Sequence, residues 1–558
     1  MRKSIIISLF LFVLVLVLYL FFFTIRDSKN FTFKEYEDPT IFSKNQSEGH
    51  APFVPYTTLE AALAGRRENC EYFQSLNGSW KFKWVAKPKE APSDFFAEGF
   101  EASNWDDIKV PAHWQMEGFG HPKFRNIALP IPTSPPGVPD DYNPVGSYLR
   151  TFQIPENWSD REVFLRFAGV TSAAYIWVNG KEVGYSQGGI APVEFNVTSY
   201  LRPGNNILAV RVYRYSDGTY LENMDMWHLS GIFREVTLFA TPKIHLRDYY
   251  ISTDLDENYQ HADLRVWVDL VNYGLSEYSG LKVRINLLDQ FGNRILDKPL
   301  LQVVPDIAVG ATDSLVFTAR VENPLKWSAE EPNLYRLILE ILDTNGGTIE
   351  VYSPNVGFKK VEIIGNAIYV NGAAVKFNGV NSVMHHPHHG KAVPTETIIR
   401  DFTLMKQFNI NLVRTAHYPP SQEYLDLADQ FGIYIVNEAE LECHSFLHLS
   451  DDPLWKPAFL DRGRRMVLHD RNHPSIVFWS AGNESGTGNN FKYVIEQGKK
   501  LDPARPFWMY GANVFLIPYE DIVGPRYWEP FQLKELAEQD LIEDSRPSFM
   551  DEYLCASG

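Results

Sequence analysis

Two glutamates carry the strongest chemical signal in the sequence. Glu484 stands in the stretch 475–488, S-I-V-F-W-S-A-G-N-E-S-G-T-G, where a short apolar and aromatic run of the kind that forms a doubly buried strand stops in small polar residues. Glu552 stands in 547–553, P-S-F-M-D-E-Y, a second short run that emerges into the carboxylates Asp551 and Glu552. Side chains that close different strands of one parallel α/β barrel converge on a single rim. Two carboxyl groups roughly 5 to 5.5 Å apart are what retaining cleavage of a glycosidic bond requires, one as acid and then base, the other as nucleophile. The competing reading has Asn483, Glu484 and Ser485 merely capping a helix over 489–502. The second carboxylate in matching context favours chemistry.

Other polar strand ends extend the site. V-R-T-A-H-Y-P supplies Arg414 and His417, and N-E-A-E-L-E-C-H supplies Glu442 and His444. The last two are two residues apart and face one side of an extended chain, with Cys443 facing away. Together with Glu484 they suit a divalent cation, and the dominance of oxygen donors favours magnesium over zinc. The run M-H-H-P-H-H-G, residues 384–390, is interrupted by Pro387 and reads as a polar loop shaping the same rim.

These residues need a barrel to hold them, and the pattern after about residue 361 provides one. Strand candidates at 375–381, 411–418, 433–440, 475–484, 507–511, 521–527 and 548–553 alternate with amphipathic helices. Thr395 to Asn409, for example, places Ile398, Phe402, Met405 and Phe408 on one face. A closed (β/α)8 barrel takes eight strands, and the chain stops at Gly558 before the last, so the expectation is an incomplete TIM barrel over 361–558 with unpaired edges on its first and last strands. Upstream, 50–242 shows many short β runs with turn signals, including the hairpin dipeptide Asn179-Gly180, and reads as a jelly-roll β-sandwich. Residues 243–360 continue in alternating strands as a smaller immunoglobulin-like β-sandwich without a catalytic constellation.

Length and composition bound the functions. A chain of 558 residues suggests roughly three domains. A net charge of −17 argues against a nucleic-acid partner, which requires clustered Lys and Arg, and disfavours strongly acidic glycans unless a local basic pocket intervenes. Cys70, Cys443 and Cys555 are too few for a disulfide framework.

Residues 5–23 are apolar apart from Ser8 and Tyr19, long enough for a transmembrane helix and longer than a usual signal-peptide core, with no small-x-small cleavage site behind them. Residues 1–26 therefore read as a signal anchor and 27–49 as a polar tether. Arg2 and Lys3 place the amino end in the cytosol and the rest in the lumen or outside, and sequons at Asn30, Asn45, Asn157 and Asn196 are compatible with a glycoprotein on that side.

The motifs R-N-H-P-S-I-V-F-W-S-A-G-N-E-S-G-T-G, V-R-T-A-H-Y-P, N-E-A-E-L-E-C-H, D-G-T-Y-L-E-N-M-D-M-W-H-L-S-G-I-F-R-E-V and L-N-G-S-W-K-F together resemble the β-galactosidases of glycoside hydrolase family 2, over nearly all of 52–558. The resemblance implies a jelly roll, an immunoglobulin-like domain and a catalytic barrel that hydrolyse terminal β-galactosides. It makes Glu484 the acid/base and Glu552 the nucleophile, assigns Asn483, Tyr527 and His417 to the sugar and the transition state, and gives Mg2+ to Glu442, His444 and Glu484. Asn126 and Asp225 would reach in from the jelly roll, Asp225 also serving a Na+ site; homo-oligomers are compatible with it. Val383 and Cys555 stand where the family has histidines, so glycosidase chemistry is more firmly implied than galactose preference. Glucuronide, mannoside or glucosaminide cleavage, and an inactive membrane-tethered sugar-binding module, are the alternatives.

Overall fold

The computed structural model describes residues 34–553 apart from 127, 130, 132, 133, 512–515, 530, 533 and 535–545. The expected membrane segment at 5–23, and Cys555, lie outside the described residues. Among the described residues no helix is long and apolar enough to cross a membrane.

The first module is an antiparallel sandwich. Its larger sheet runs, in spatial order, Ser43–Lys44, Lys181–Gln187, Ala173–Val178, Gly204–Tyr213, Val145–Ile154, Gly78–Val85 and Asp106–Val110. The facing sheet contains Val193–Asn196, Glu162–Phe167, Val236–Thr241 and Phe73–Ser75. Side chains that alternate inward from both sheets, among them Trp80, Phe82, Tyr148, Phe167, Ile176 and Val210, form one core with Trp114 from the turn after Asp106–Val110. Asn179 and Gly180 both have positive φ, 50° and 79°, the backbone a two-residue turn of this hand requires, and they join Ala173–Val178 to Lys181–Gln187.

The second module packs Ile244–Leu255, Ala262–Asn272 and Thr312–Val321 against a sheet built on Lys282–Leu288 and Tyr335–Leu342. Alternate burial along Lys282–Leu288 directs Val283, Ile285 and Leu287 into its core.

The third module is a parallel sheet in the order Gly379–Asn381, Leu412–Arg414, Tyr434–Glu438, Ile476–Ser480 and Phe507–Trp508. The helices Thr395–Gln407, Gln422–Phe431, Lys456–Asp470 and Asn489–Leu501 connect its strands. Tyr434–Glu438 and Ile476–Ser480 are buried throughout, as parallel strands covered by helices must be. The segments expected as strands at 521–527 and 548–553 form no ladder; a single parallel bridge, Val523 with Ser548, joins them. Pro525 and Pro547 remove the amide donors a ladder would need there. The order nevertheless continues, because the Asp521 amide donates to the Phe507 carbonyl and the Tyr527 amide to the Glu552 carbonyl. A cavity of about 420 Å³ lies between the first strand and residues 547–551.

One helix expectation needs correction, and the helix-capping alternative for Glu484 does not hold. The helix from Thr395 ends at Gln407, leaving Phe408 as an exposed cap residue instead of a core contact, because Asn409 turns the chain with φ 57°. Asn489–Leu501 is preceded by Gly488 with no side-chain cap, so Asn483, Glu484 and Ser485 do not cap it.

Gly498 faces the Phe507 ring so closely that an added Cβ would lie 2.2 Å from it. A glycine in an exposed helix costs stability relative to alanine, but here overpacking reverses the sign. Gly498→Ala is expected to destabilise by about 1–3 kcal/mol, seen as a lower urea midpoint for the barrel transition.

Candidate active site

The rim above the parallel sheet holds two buried guanidinium groups inside a ring of carboxylates. Arg414, the last residue of Leu412–Arg414, donates from Nε to Glu438 Oε2 (2.7 Å) and from Nη2 to Glu438 Oε1 (2.9 Å). It also donates to Glu552 Oε1 (3.0 Å) and Asn483 Oδ1 (2.9 Å) and lies 3.0 Å from Asp551 Oδ2. Burial disfavours its charge, but Glu438, Asp551 and Glu552 outweigh burial and raise its pKa.

Arg526 is the second. It is held by both oxygens of Asp551, lies with its guanidinium carbon 3.6 Å from the centre of the Tyr510 ring, and donates to Asn483 Oδ1 (2.6 Å) and Glu484 Oε1 (2.9 Å). The same group stands 3.3 Å from Glu552 Oε1. Glu484 and Glu552 therefore meet across a single guanidinium. Burial raises both carboxyls, yet His444 and Arg526 hold Glu484 below the ordinary range, and Arg526, Arg414 and Tyr527 hold Glu552 below it. The Tyr527 hydroxyl donates a short hydrogen bond to Glu552 Oε2. Glu484 and Tyr527 both occupy positive φ, 35° and 57°, a local cost of the kind functional sites carry.

His417 bonds through Nδ1 to Glu438 Oε1 at 2.8 Å. Burial opposes its protonation, but Glu442 and Glu438 prevail and its pKa is raised. Glu438 is itself held down to about 2: burial pushes it up, and Arg414 and His417 pull it further down.

On the other side of Glu484, Asp225, Glu442, His444 and Glu484 bring one ligand atom each within 4.8 Å of one another. His444 Nδ1 lies 3.0 Å from Glu484 Oε2, 3.7 Å from Glu442 Oε1 and 3.6 Å from Asp225 Oδ1. Glu442 Oε1, Asp225 Oδ1 and His444 Nδ1 are buried without a hydrogen bond of proper geometry, an arrangement that suits a cation, since buried polar atoms otherwise find partners. Three carboxylates and one imidazole are a donor set for a hard divalent ion. Hydrogen bonding to Asp225, Glu442 and Glu484 raises the His444 pKa, so a cation bound among them would displace its proton.

Asp225, expected at the sugar and at a monovalent-cation site, stands beside the group expected to hold the divalent ion. Its loop is fastened to the barrel by backbone bonds, from the Asn223 amide to the Glu442 carbonyl (2.8 Å) and from the Glu442 amide to the Leu221 carbonyl (2.6 Å). Asn126 follows Lys123–Arg125, the strand paired with Met226–His228 directly after Asp225. Asn483 is buried with both side-chain termini engaged, Oδ1 by the two arginines and Nδ2 by Glu442 Oε2. The histidine run forms a turn closed by a His386–Gly390 bridge, with the His386 and His389 rings stacked at 4.6 Å.

Arg526, Glu438 and the anchoring role of Asp551 were not singled out by sequence reasoning. The available signals were position alone: Arg526 adjoins Tyr527, Asp551 adjoins Glu552, and Glu438 opens N-E-A-E-L-E-C-H.

An antiparallel β-sandwich, a second sandwich and a parallel barrel with two glutamates opposed at its rim define a glycoside hydrolase architecture. The chain matches the models for Glycosyl hydrolases family 2, sugar binding domain, over residues 73–242, Glycosyl hydrolases family 2 over 244–359, and Glycosyl hydrolases family 2, TIM barrel domain, over 361–557. It belongs to glycosyl hydrolase family 2. It is 38% identical over 538 residues to a β-galactosidase of Priestia megaterium, covering 93% of this chain and 51% of that one, and 38% identical over 545 residues to a β-galactosidase of Yersinia enterocolitica, covering 94% and 51%. The chain thus spans about half the length of the curated relatives it matches. Among solved structures, a Bifidobacterium dentium β-glucuronidase complexed with coumarin-3-O-glucuronide superposes with a TM-score of 0.71 at 23% identity, covering 86% of this chain and 83% of that one. A Bacteroides uniformis β-glucuronidase gives 0.70 at 23% identity, covering 85% and 58%. At that identity the likeness concerns the fold.

Removing Arg414 takes from the buried Glu438 its bidentate partner, leaving His417 and the Ser480 hydroxyl, and takes from Asp551 and Glu552 one of two guanidinium groups, so Arg414→Met is expected to cost about 3–5 kcal/mol. The depressed Glu438 pKa contributes stability that is fully present above an unfolded carboxylate pKa of about 4.3 and is lost as pH falls through the folded value of about 2. Thermal melts of the wild type and variant between neutral and acid pH should therefore show the gap narrowing below about pH 4.

Proposed function

We propose that the protein is a retaining exo-β-glycosidase acting on terminal β-D-galactosyl residues, with Glu484 as acid/base and Glu552 as nucleophile. The observation that carries this reading is the meeting of the two carboxylates across Arg526. Glu552, ionised between Arg414, Arg526 and Tyr527, attacks the anomeric carbon while Glu484, which must first be protonated against the pull of His444 and Arg526, gives that proton to the departing glycosidic oxygen. A glycosyl ester on Glu552 results. Glu484 then takes a proton from water as that water attacks the same carbon, which frees the sugar and restores both groups. Asn483, held beside both carboxylates, His417 at the same rim and Asn126 of the amino-terminal sandwich are the proposed sugar contacts.

The charge balance favours a neutral sugar. Arg414 and Arg526 are enclosed by Glu438, Asp551, Glu552 and Glu484, so neither has surplus charge for a uronate carboxylate. The β-galactosidase names of the relatives support the same choice, while the β-glucuronidase fold neighbours make glucuronides the second reading. Kcat/KM across aryl β-galactoside, β-glucoside and β-glucuronide separates them.

Mg2+ is assigned to Glu442, His444 and Glu484 with Asp225, and a monovalent cation to the vicinity of Asp225. Bound there, Mg2+ would supply positive charge opposite the clustered carboxylates and orient the Glu484 carboxyl. On sequence alone, 5–23 is proposed as a membrane anchor with the folded part outside the cytosol, and 242/243 and 360/361 as the module boundaries.

Glu552→Gln is expected to abolish turnover of an aryl β-galactoside. Glu484→Gln should slow it by about 10²–10⁴-fold, least for the most acidic leaving groups. Added azide should restore the Glu484→Ala variant with a β-galactosyl azide product; an α product, or unchanged rates, overturns the assignment. After treatment with EDTA, adding Mg2+ should raise the melting temperature of the wild type but not of Glu442→Ala.

A further inference from the structure

A cavity of about 760 Å³ lies between the amino-terminal sandwich and the barrel, and none of the residues that ring Glu484 and Glu552 lines it. Three cationic side chains on its wall are held by neutral partners. Lys391 lies over the Tyr418 ring, 4.5 Å from its centre. Arg234 donates from Nη1 to the Ile190 carbonyl (2.8 Å) and from Nη2 to the Pro419 carbonyl (2.9 Å). Arg166 donates from Nη2 to His469 Nε2 (2.7 Å), and His469 bonds on to Asp470. Among the described residues none of the three makes a salt bridge, and burial lowers the pKa of each, that of Lys391 to about 8, as expected of cations held from water without a counter-ion.

The neighbouring acids are occupied elsewhere. Glu222 and Glu440 act on Lys391, but Glu222 is taken by Arg462 at 2.6 Å and Glu440 by the Ile190 amide at 3.0 Å. On the wall itself Arg67 clamps Glu235 at 2.7 and 2.8 Å, Glu423 accepts from the Thr395 hydroxyl at 2.7 Å, Asp426 lies 4.0 Å from His473, and Glu68 and Glu117 are exposed. His113, fully buried, lines the same cavity. Its ring stacks on Phe233 at 5.0 Å and its Nδ1 bonds to the Ser230 carbonyl, while its Nε2 has no partner. Burial, then the charges of Lys391, His385 and Arg234, keep it neutral, so Nε2 is an acceptor. Phe233 precedes Arg234 and Gly390 precedes Lys391, and a Cβ on Gly390 would stand 3.4 Å from that nitrogen. The helix Thr395–Gln407 also starts at this wall with no side chain capping its first amides, which favours an anion there.

We propose that the cavity is a second ligand site and that it takes an organic phosphate, its phosphoryl group among Lys391, Arg234 and His113 and its organic part against Phe233, Met384 and Ile398. A monoprotonated phosphate offers oxygens to the cations and a hydroxyl to His113 Nε2, which a carboxylate ion cannot do. The volume exceeds what a bare ion fills and matches a small organic ligand. The inference stands apart from the hydrolase chemistry.

Isothermal titration of the full chain with phenyl phosphate, inorganic phosphate and phenol tests it without turnover. Phenyl phosphate should bind, inorganic phosphate more weakly and phenol not at all. Lys391→Met and Arg166→Met should each weaken phenyl phosphate by about tenfold, Lys391→Arg by less than about threefold, and saturating galactose should leave the affinity unchanged. Lys391 has no counter-ion to abandon, so Lys391→Met should unfold at the wild-type temperature or above it, which separates lost binding from misfolding. No binding by the wild type, unchanged affinity in Lys391→Met, displacement by galactose, phenol binding as tightly as phenyl phosphate, or inorganic phosphate binding as tightly as the ester overturns the proposal.

Discussion

The site depends on the neutralisation of two guanidinium groups taken out of water. An isolated buried charge costs several kcal/mol, and the cost is offset only when geometry is good and the remaining hydrogen-bonding atoms find partners. Arg414 and Arg526 meet that condition by sharing partners: Asn483 Oδ1 accepts from both, and Asp551 and Glu552 contact both. Moving any one of these carboxylates would leave a cation exposed to an apolar surround. The same constraint that stabilises the arrangement therefore fixes where Glu484 and Glu552 stand, and the proposed chemistry uses a geometry that buried electrostatics already imposes.

Three glutamates at alternate positions in one stretch illustrate how much a sequence hides. Glu438 neutralises Arg414, Glu440 accepts the Ile190 amide of the sandwich at 3.0 Å, and Glu442 turns toward Asp225, His444 and Glu484. Their spacing marks them as facing alike, but the partner of each comes from a different part of the chain. The burial that drives Glu440 up to about 8 is a tertiary property. Arg526 is the same case: its partners Asp551 and Glu484 are 25 and 42 residues away, and it follows a proline in a stretch without strand periodicity. A pattern reader has no reason to prefer it over any surface arginine.

Legibility was greatest where local chemistry dictates geometry. The Asn179-Gly180 turn, the alternating strands of both sandwiches and the buried runs at 434–438 and 476–480 follow from backbone preference and from burial on one face or two. It was least where tertiary packing overrides preference. The stretches 521–527 and 548–553 have strand-like composition, yet prolines and the approach of Gly524 to Trp508 keep them extended with one bridge. The likeness in backbone to β-glucuronidases shows the converse limit: a shared fold leaves the charge inside the pocket undetermined, and here that charge is already balanced by the protein's own acids.

The backbone stitching of 221–223 to Glu442 bears on heredity as much as on mechanism. Asp225, one of the four groups proposed to hold the cation, belongs to a module other than the one that carries the remaining three. Recombination that exchanged the amino-terminal sandwich for a foreign one would import a stranger's loop into the cage, so the two modules are bound to descend together.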